Sequence, residues 1–263
     1  MKTTESLRDL RQVIDTLLGP DGCSWDKEQT PRSLCDYLIE ECFELVDAIR
    51  SENSAEVVEE LGDVFFLLLF ISRLYKESHG VTLSGVLDEN AAKMIRRHPH
   101  VFDSVTFADQ EELLANWEKI KREEKKETGS APKGTFDSLP ASLPPLLRAY
   151  RINSKAARVG FTWPDNKAQE EKLAEEWQEW LQARAEGDQA RMEEEFGDYL
   201  FTLTEYGRRN GIKANSSLHG ANRKFLGRFE RMEQLARSRG MDFQELSMEE
   251  MDRLWDECKK EGA

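Results

Sequence analysis

Apolar residues in this chain recur three and four positions apart, and no stretch alternates with a period of two. That spacing marks helices with one buried stripe. Leu7, Leu10, Ile14, Leu17 and Leu18 define a first helix over 4–18, which Gly19-Pro20-Asp21-Gly22 ends. Leu34, Leu38, Cys42, Leu45 and Ile49 mark a second over 33–50, and Val57, Val64, Leu67, Ile71 and Leu74 a third over 55–77. A helix from about 84 and another holding Trp117 follow. The plan then repeats over 146–159, 167–186, 188–209, 215–238 and 247–260. The pattern predicts an all-α protein built from helical bundles.

Acidic residues interrupt those apolar stripes. Glu60 falls at the centre of the third stripe, with Asp63 about 60° away on the same side. Glu41 borders the second stripe, and Glu44 follows one turn on. Inward carboxylates cost several kcal/mol unless they are paired or bind a metal. Two antiparallel helices, each offering an i,i+3 pair, bring four carboxylates to one point. An all-oxygen cluster of this kind suits Mg²⁺, with Mn²⁺ as a substitute. A single Glu-x-x-Glu in a chain with 51 acidic residues is an ordinary solvated face. The whole constellation, however, returns as Glu176, Glu179, Glu195 and Asp198, at one constant offset (176 − 41 and 198 − 63 both give 135). Gly62 and Gly197, each in mid-helix, predict close approach of a neighbouring helix or a ligand.

The repeat divides the 263 residues into two helical domains, 1–126 and 145–263, joined by a Pro- and Gly-containing linker over 127–144. A net charge of −14 argues against a partner that is a nucleic acid polymer, but leaves open a nucleotide held through a metal. The N-terminal residues lack the apolar core of a signal peptide, and the longest apolar run, Val64 to Ile71, is too short to span a bilayer. A cytoplasmic protein without membrane association is expected. Cys23, Cys35, Cys42 and Cys258 show no Cys-x-x-Cys spacing and are read as reduced, mostly buried thiols. Trp25 and its counterpart Trp163 are read as core anchors, with a platform under a base as the alternative.

Lys93 and Arg97 stand four apart on one helix and are matched by Lys224 and Arg228 in the second half. Beside a predicted metal site such cations suit phosphate groups. His98-Pro99-His100 is read as a structural turn, because proline prevents helical i,i+4 geometry and the other half lacks both histidines. Gly129-Ser-Ala-Pro-Lys-Gly134-Thr has neither the lysine after the second glycine nor the preceding strand of a phosphate-binding loop.

Three features taken together resemble the MazG family of all-α nucleoside triphosphate pyrophosphohydrolases. They are the duplicated Glu-Glu-x-x-Glu…Glu-x-x-Asp signature (Glu40, Glu41, Glu44, Glu60, Asp63; Glu175, Glu176, Glu179, Glu195, Asp198), the Gly22–Thr30 stretch and the Arg96–Phe102 stretch. The resemblance covers essentially the whole chain in the family's tandem form. It departs at Ser24, where many relatives have proline, and at Gly227, where arginine is common. It implies hydrolysis of a nucleoside triphosphate to the monophosphate and pyrophosphate, and a homodimer. On that reading Glu176, Glu179, Glu195 and Asp198 hold Mg²⁺, Glu175 or another carboxylate takes the proton of the attacking water, and Lys224, Arg228 and Trp255 meet the substrate. The halves differ at the repeat offset, Lys172 matching Tyr37 and Arg191 matching Glu56. Those two extra cations favour triphosphate binding and assign most of the activity to the C-terminal site, with Glu41, Glu44, Glu60, Asp63, Lys93 and Arg97 as an auxiliary copy. Two rival classes remain. A di-metal oxidase would want Glu-x-x-His pairs, which neither quartet has. A non-enzymatic helical interaction protein with a vestigial metal site leaves the duplicated inward acids unexplained.

Overall fold

The computed structural model describes residues 2–127 and 134–261. Among them the regular elements are all helical. The first half comprises α1 (Lys2–Leu17), α2 (Ser24–Glu28), α3 (Leu34–Arg50), α4 (Ser54–His79), α5 (Leu83–Arg97), α6 (Pro99–Phe102) and α7 (Gln110–Glu127). The second comprises α8 (Pro145–Arg158), α9 (Asn166–Glu186), α10 (Gln189–Arg209), α11 (Ala214–Ser238), a 3-10 turn (Phe243–Glu245) and α12 (Met248–Glu261). The chain forms two compact units, Met1–Gly129 and Ser130–Ala263. The expected linker falls across that division. Its residues 128–133 lie outside the described residues, while Thr135 and Ser138 belong to a turn that accepts hydrogen bonds from Lys155 of α8.

Each unit is organised on a hairpin of two acidic helices, α3 against α4 and α9 against α10. The same local chemistry closes both hairpins. Glu52 (φ 58°) and Gly187 (φ 73°), one repeat offset apart, take the left-handed conformation that stops the first helix. The next residue starts the second helix. Asn53 accepts from the backbone N–H groups of Ala55 and Glu56, and Asp188 accepts from that of Arg191. These short, capped joints hold the helices antiparallel, so acids nineteen positions apart (60 − 41 and 195 − 176) come face to face.

The cores lie in different places in the two units. In the first, Ile14 of α1 meets Leu34 of α3 and Leu67, Leu69 and Phe70 of α4, directly under the acidic hairpin. In the second, the apolar core is Met232 and Ala236 of α11 with Leu254 and Cys258 of α12. The α9–α10 hairpin instead buries polar groups: Gln169, Thr202, Thr204 and Glu205.

Several expectations need correction. On α3 the inward line runs through Leu34, Leu38, Glu41, Leu45 and Ala48, while Cys42 and Ile49 are exposed. Glu41 is therefore part of the stripe rather than its border. Cys23, Cys35 and Cys42 are exposed and only Cys258 is buried, because the first three sit on α3's outer side or in the loop before it. Trp25 is 51% exposed, edge-on to Tyr37, and so anchors no core. A Cβ placed on Gly62 or Gly197 meets nothing within 4 Å. The close approach expected at these glycines is not made within the chain.

Candidate metal and phosphate site

The hairpins bring together three of the four expected carboxylates in each half. Oxygens of Glu41, Glu44 and Glu60 lie within 4.8 Å of one another, as do those of Glu176, Glu179 and Glu195. Asp63 and Asp198 are exposed and stand outside these trios, but their charges help raise the pKa of Glu41 and Glu176. A donor set of carboxylate oxygens without nitrogen or sulfur fits a hard divalent cation.

The two trios solve the problem of clustered charge differently. In the N-terminal trio no salt bridge to a cation is made among the described residues. Burial, then the charges of Asp63 and Glu44, push the Glu41 carboxyl up. Burial and Glu44 do the same to Glu60. A hydrogen bond between them lowers Glu41 and raises Glu60. In the C-terminal trio a lysine does this work. Lys172 Nζ lies 3.0 Å from Glu175, 3.1 Å from Glu176 and 3.7 Å from Glu179. Burial acts to lower the Lys172 pKa, but the bonds to Glu175 and Glu176 outweigh it and hold the ammonium charged. Burial still raises Glu176 against the opposing pull of Lys172. Arg191 adds a second cation, 3.4 Å from Glu195 and braced at 2.6 Å by Glu186. Tyr37 and Glu56, at the matching N-terminal positions, supply no such charge.

The remaining expected residues make other contacts. Arg97, with Arg96, is turned to Glu124 of α7 at 2.7 Å, and Lys93 is half-buried on the same helix. Arg228 lies over the Trp255 ring with 5.7 Å to its centroid, Trp255 also packs on Phe225, and Lys224 is exposed. These three belong to α11 and α12, and α11 packs on α10. His98 and His100 form the expected turn, with the His98 ring against Trp117. Sequence reasoning missed Glu186, the brace for Arg191. It also missed the buried polar set Asn153, Gln169, Thr202 and Glu205. The latter three were visible in the repeat, since the offset of 135 matches them to Leu34, Leu67 and Phe70.

Comparison with known proteins places this geometry. Residues 29–102, which carry Glu41, Glu44, Glu60 and Asp63, match the model of the MazG nucleotide pyrophosphohydrolase domain. Over 252 residues the chain is 38% identical to the nucleoside triphosphate pyrophosphohydrolase/pyrophosphatase MazG of Thermotoga maritima, covering 95% of this chain and 94% of that protein. It is 36% identical over 255 residues to a nucleoside triphosphate pyrophosphohydrolase of Escherichia coli, covering 96% of each. An uncharacterised Bacillus subtilis protein, YabN, is 40% identical over 251 residues, which span 51% of its length. With relatives matched end to end and the duplicated acidic hairpins in place, the chain belongs to the MazG family.

Proposed function

We propose that the protein hydrolyses nucleoside triphosphates to nucleoside monophosphate and pyrophosphate with Mg²⁺ or Mn²⁺, mainly at the C-terminal carboxylates. The observation that carries this reading is the pair of cations at the C-terminal trio, Lys172 and Arg191, which the N-terminal trio lacks. A triphosphate must be met by positive charge, and these two side chains already sit among the acids. Glu176, Glu179, Glu195 and Asp198 would hold the metal, whose chemistry is charge neutralisation at phosphate oxygens and a lower pKa for water. Glu175, exposed beside Glu176, can accept the proton of the attacking water once Lys172 releases it. Lys172 and Arg191 would meet the phosphates, with Lys224 and Arg228 of α11 on the departing pyrophosphate. Glu41, Glu44, Glu60 and Asp63 form an auxiliary site of the same kind.

The working form is a homodimer. Leu61, Phe65 and Leu68 lie along one exposed face of α4, and Phe196, Leu200 and Leu203 repeat that stripe on α10. A second copy would cover it, with Gly62 and Gly197 leaving room for close helix contact. Phe65→Asp is expected to shift the protein to a monomer in analytical ultracentrifugation, and an unchanged sedimentation coefficient would reject this interface. The reaction itself is tested in ¹⁸O-water. The label should enter the monophosphate, and activity should vanish on chelation and return with Mg²⁺ or Mn²⁺. Label in orthophosphate, with diphosphate as the other product, would reject the reaction.

A further inference from the structure

Glu186 and Arg191 meet across the joint between α9 and α10, and each stands where its own helix disfavours it. Glu186 is the last residue of α9, at the carbonyl end, which repels an anion. Arg191 lies in the first turn of α10, at the amide end, which repels a cation and where a capping box would place an acid. The N-terminal half shows the ordinary arrangement. At the offset of 135, Ser51 matches Glu186 and Glu56 matches Arg191, so an acid occupies the first turn of α4 and no acid ends α3. The second half has both residues changed together. Local choices that oppose the helix in this way are expected at functional positions.

The contacts show what the pair does. Arg191 Nη1 donates to Glu186 Oε2 at 2.6 Å, and Gln182 Nε2, one turn back on α9, donates to Glu186 Oε1 at 2.8 Å. Both oxygens of the Glu186 carboxylate are thus engaged. On its other side the guanidinium reaches Glu195 at 3.4 Å through Nε, a much longer contact. The charge of Glu186 is also the first cause of the raised Arg191 pKa, ahead of Glu195. Arg191 is therefore tied to the hairpin joint more than to the trio. A guanidinium has five N–H donors, more than these two bonds use.

We infer that Glu186 is a positioning residue for the reaction: it holds Arg191 at the joint and off Glu195, leaving Glu195 to the metal and the guanidinium to the phosphates. The inference rests on the proposed working site in the C-terminal half. It makes a prediction opposite in sign to that of charge alone. An extra anion near the site repels a triphosphate, so simple removal of its charge would improve substrate binding. Removal of a brace weakens it, because Arg191 is then left with Glu195 as its carboxylate partner.

The test compares wild type, Glu186→Gln, Arg191→Gln and the double variant in the full chain, with folding checked by circular dichroism. Steady-state kinetics give KM and kcat for ATP at saturating Mg²⁺. Titration calorimetry gives the Mg²⁺ affinity without nucleotide, in a Glu60→Gln, Asp63→Asn background that removes the N-terminal cluster from the measurement. Glu186→Gln should raise KM about threefold with kcat little changed, and weaken Mg²⁺ binding about threefold. Both effects should disappear when Arg191 is already glutamine, since the brace then has nothing to hold. A lowered or unchanged KM in Glu186→Gln would overturn the inference. The same change in both backgrounds would also overturn it, as the mark of a merely structural role. Failure of the underlying site reading is separable: Arg191→Gln would then leave KM unchanged, and the Mg²⁺ titration, which needs no nucleotide, decides on Glu186 by itself.

Discussion

Replacing Lys172 with glutamine should change three quantities, and not all in the same direction. The ammonium lies 3.0, 3.1 and 3.7 Å from Glu175, Glu176 and Glu179, so in the metal-free protein it stands where a cation is needed. A hydrogen bond to a charged group contributes about 1.5–3 kcal/mol. The lysine side chain is 29% exposed, and Glu175 and Glu179 are more so, which screens the interaction and reduces the expected loss to about 1–2 kcal/mol. At about 3 °C per kcal/mol for a domain of this size, the metal-free variant should melt about 3–6 °C below wild type. Saturating Mg²⁺ should close that gap, because the metal supplies the missing charge. By linkage, the variant should bind Mg²⁺ about 5–30-fold more tightly in the absence of nucleotide, since no ammonium has to be displaced. KM for the triphosphate should rise, as one phosphate contact is gone. Differential scanning fluorimetry with and without Mg²⁺, calorimetric Mg²⁺ titration and steady-state kinetics read the three quantities. Weaker Mg²⁺ binding with a melting deficit that persists in saturating metal would refute the role given to Lys172.

Two further predictions concern the N-terminal unit. Glu41 and Glu60 have pKa values raised above the ordinary carboxylate range, so the folded state holds their protons more tightly than the unfolded chain. Their contribution is present at pH below the unfolded values and is lost as pH rises through the folded ones. Metal-free Glu60→Gln should therefore melt above wild type at pH 8, with the difference shrinking toward pH 5; a constant difference would contradict the raised carboxyl pKa. Phe70 is 1% exposed in the core beneath the same acids, and Phe70→Ala should cost about 3–5 kcal/mol in urea unfolding followed by circular dichroism.

The helices were legible because each depends on the 3.6-residue period of its apolar stripe; the caps Asn53 and Asp188 and the left-handed stops Glu52 and Gly187 emerged only in the structure. The acidic trios were legible because duplication at one offset separates a constellation from the background of a highly acidic chain. Phase was less secure. An apolar stripe is wide enough that a one-residue rotation of α3 moves Glu41 in and Cys42 out, and periodicity alone does not fix that rotation. Trp25 shows a second limit, since an aromatic side chain is buried only if another element covers it. Lys172 stands at the i,i+3 and i,i+4 spacings from Glu175 and Glu176, where a pair is legible, but its reach to Glu179, seven positions on, depends on its rotamer. The buried polar set was missed for a different reason. Gln169, Thr202 and Glu205 read as the outer face of amphipathic helices until they are set against Leu34, Leu67 and Phe70.

Assignment of the working site to the C-terminal half is tested most directly by paired loss of ligands. Glu195→Gln with Asp198→Asn removes charge from the C-terminal cluster without opening a cavity, and Glu60→Gln with Asp63→Asn does the same in the N-terminal half. Steady-state release of pyrophosphate is compared for the two double variants and wild type, with folding checked by circular dichroism. The C-terminal pair should lose about a hundredfold or more in turnover, while the N-terminal pair keeps most of it. Abolished turnover in the N-terminal pair alongside near-normal turnover in the C-terminal pair would contradict the assignment.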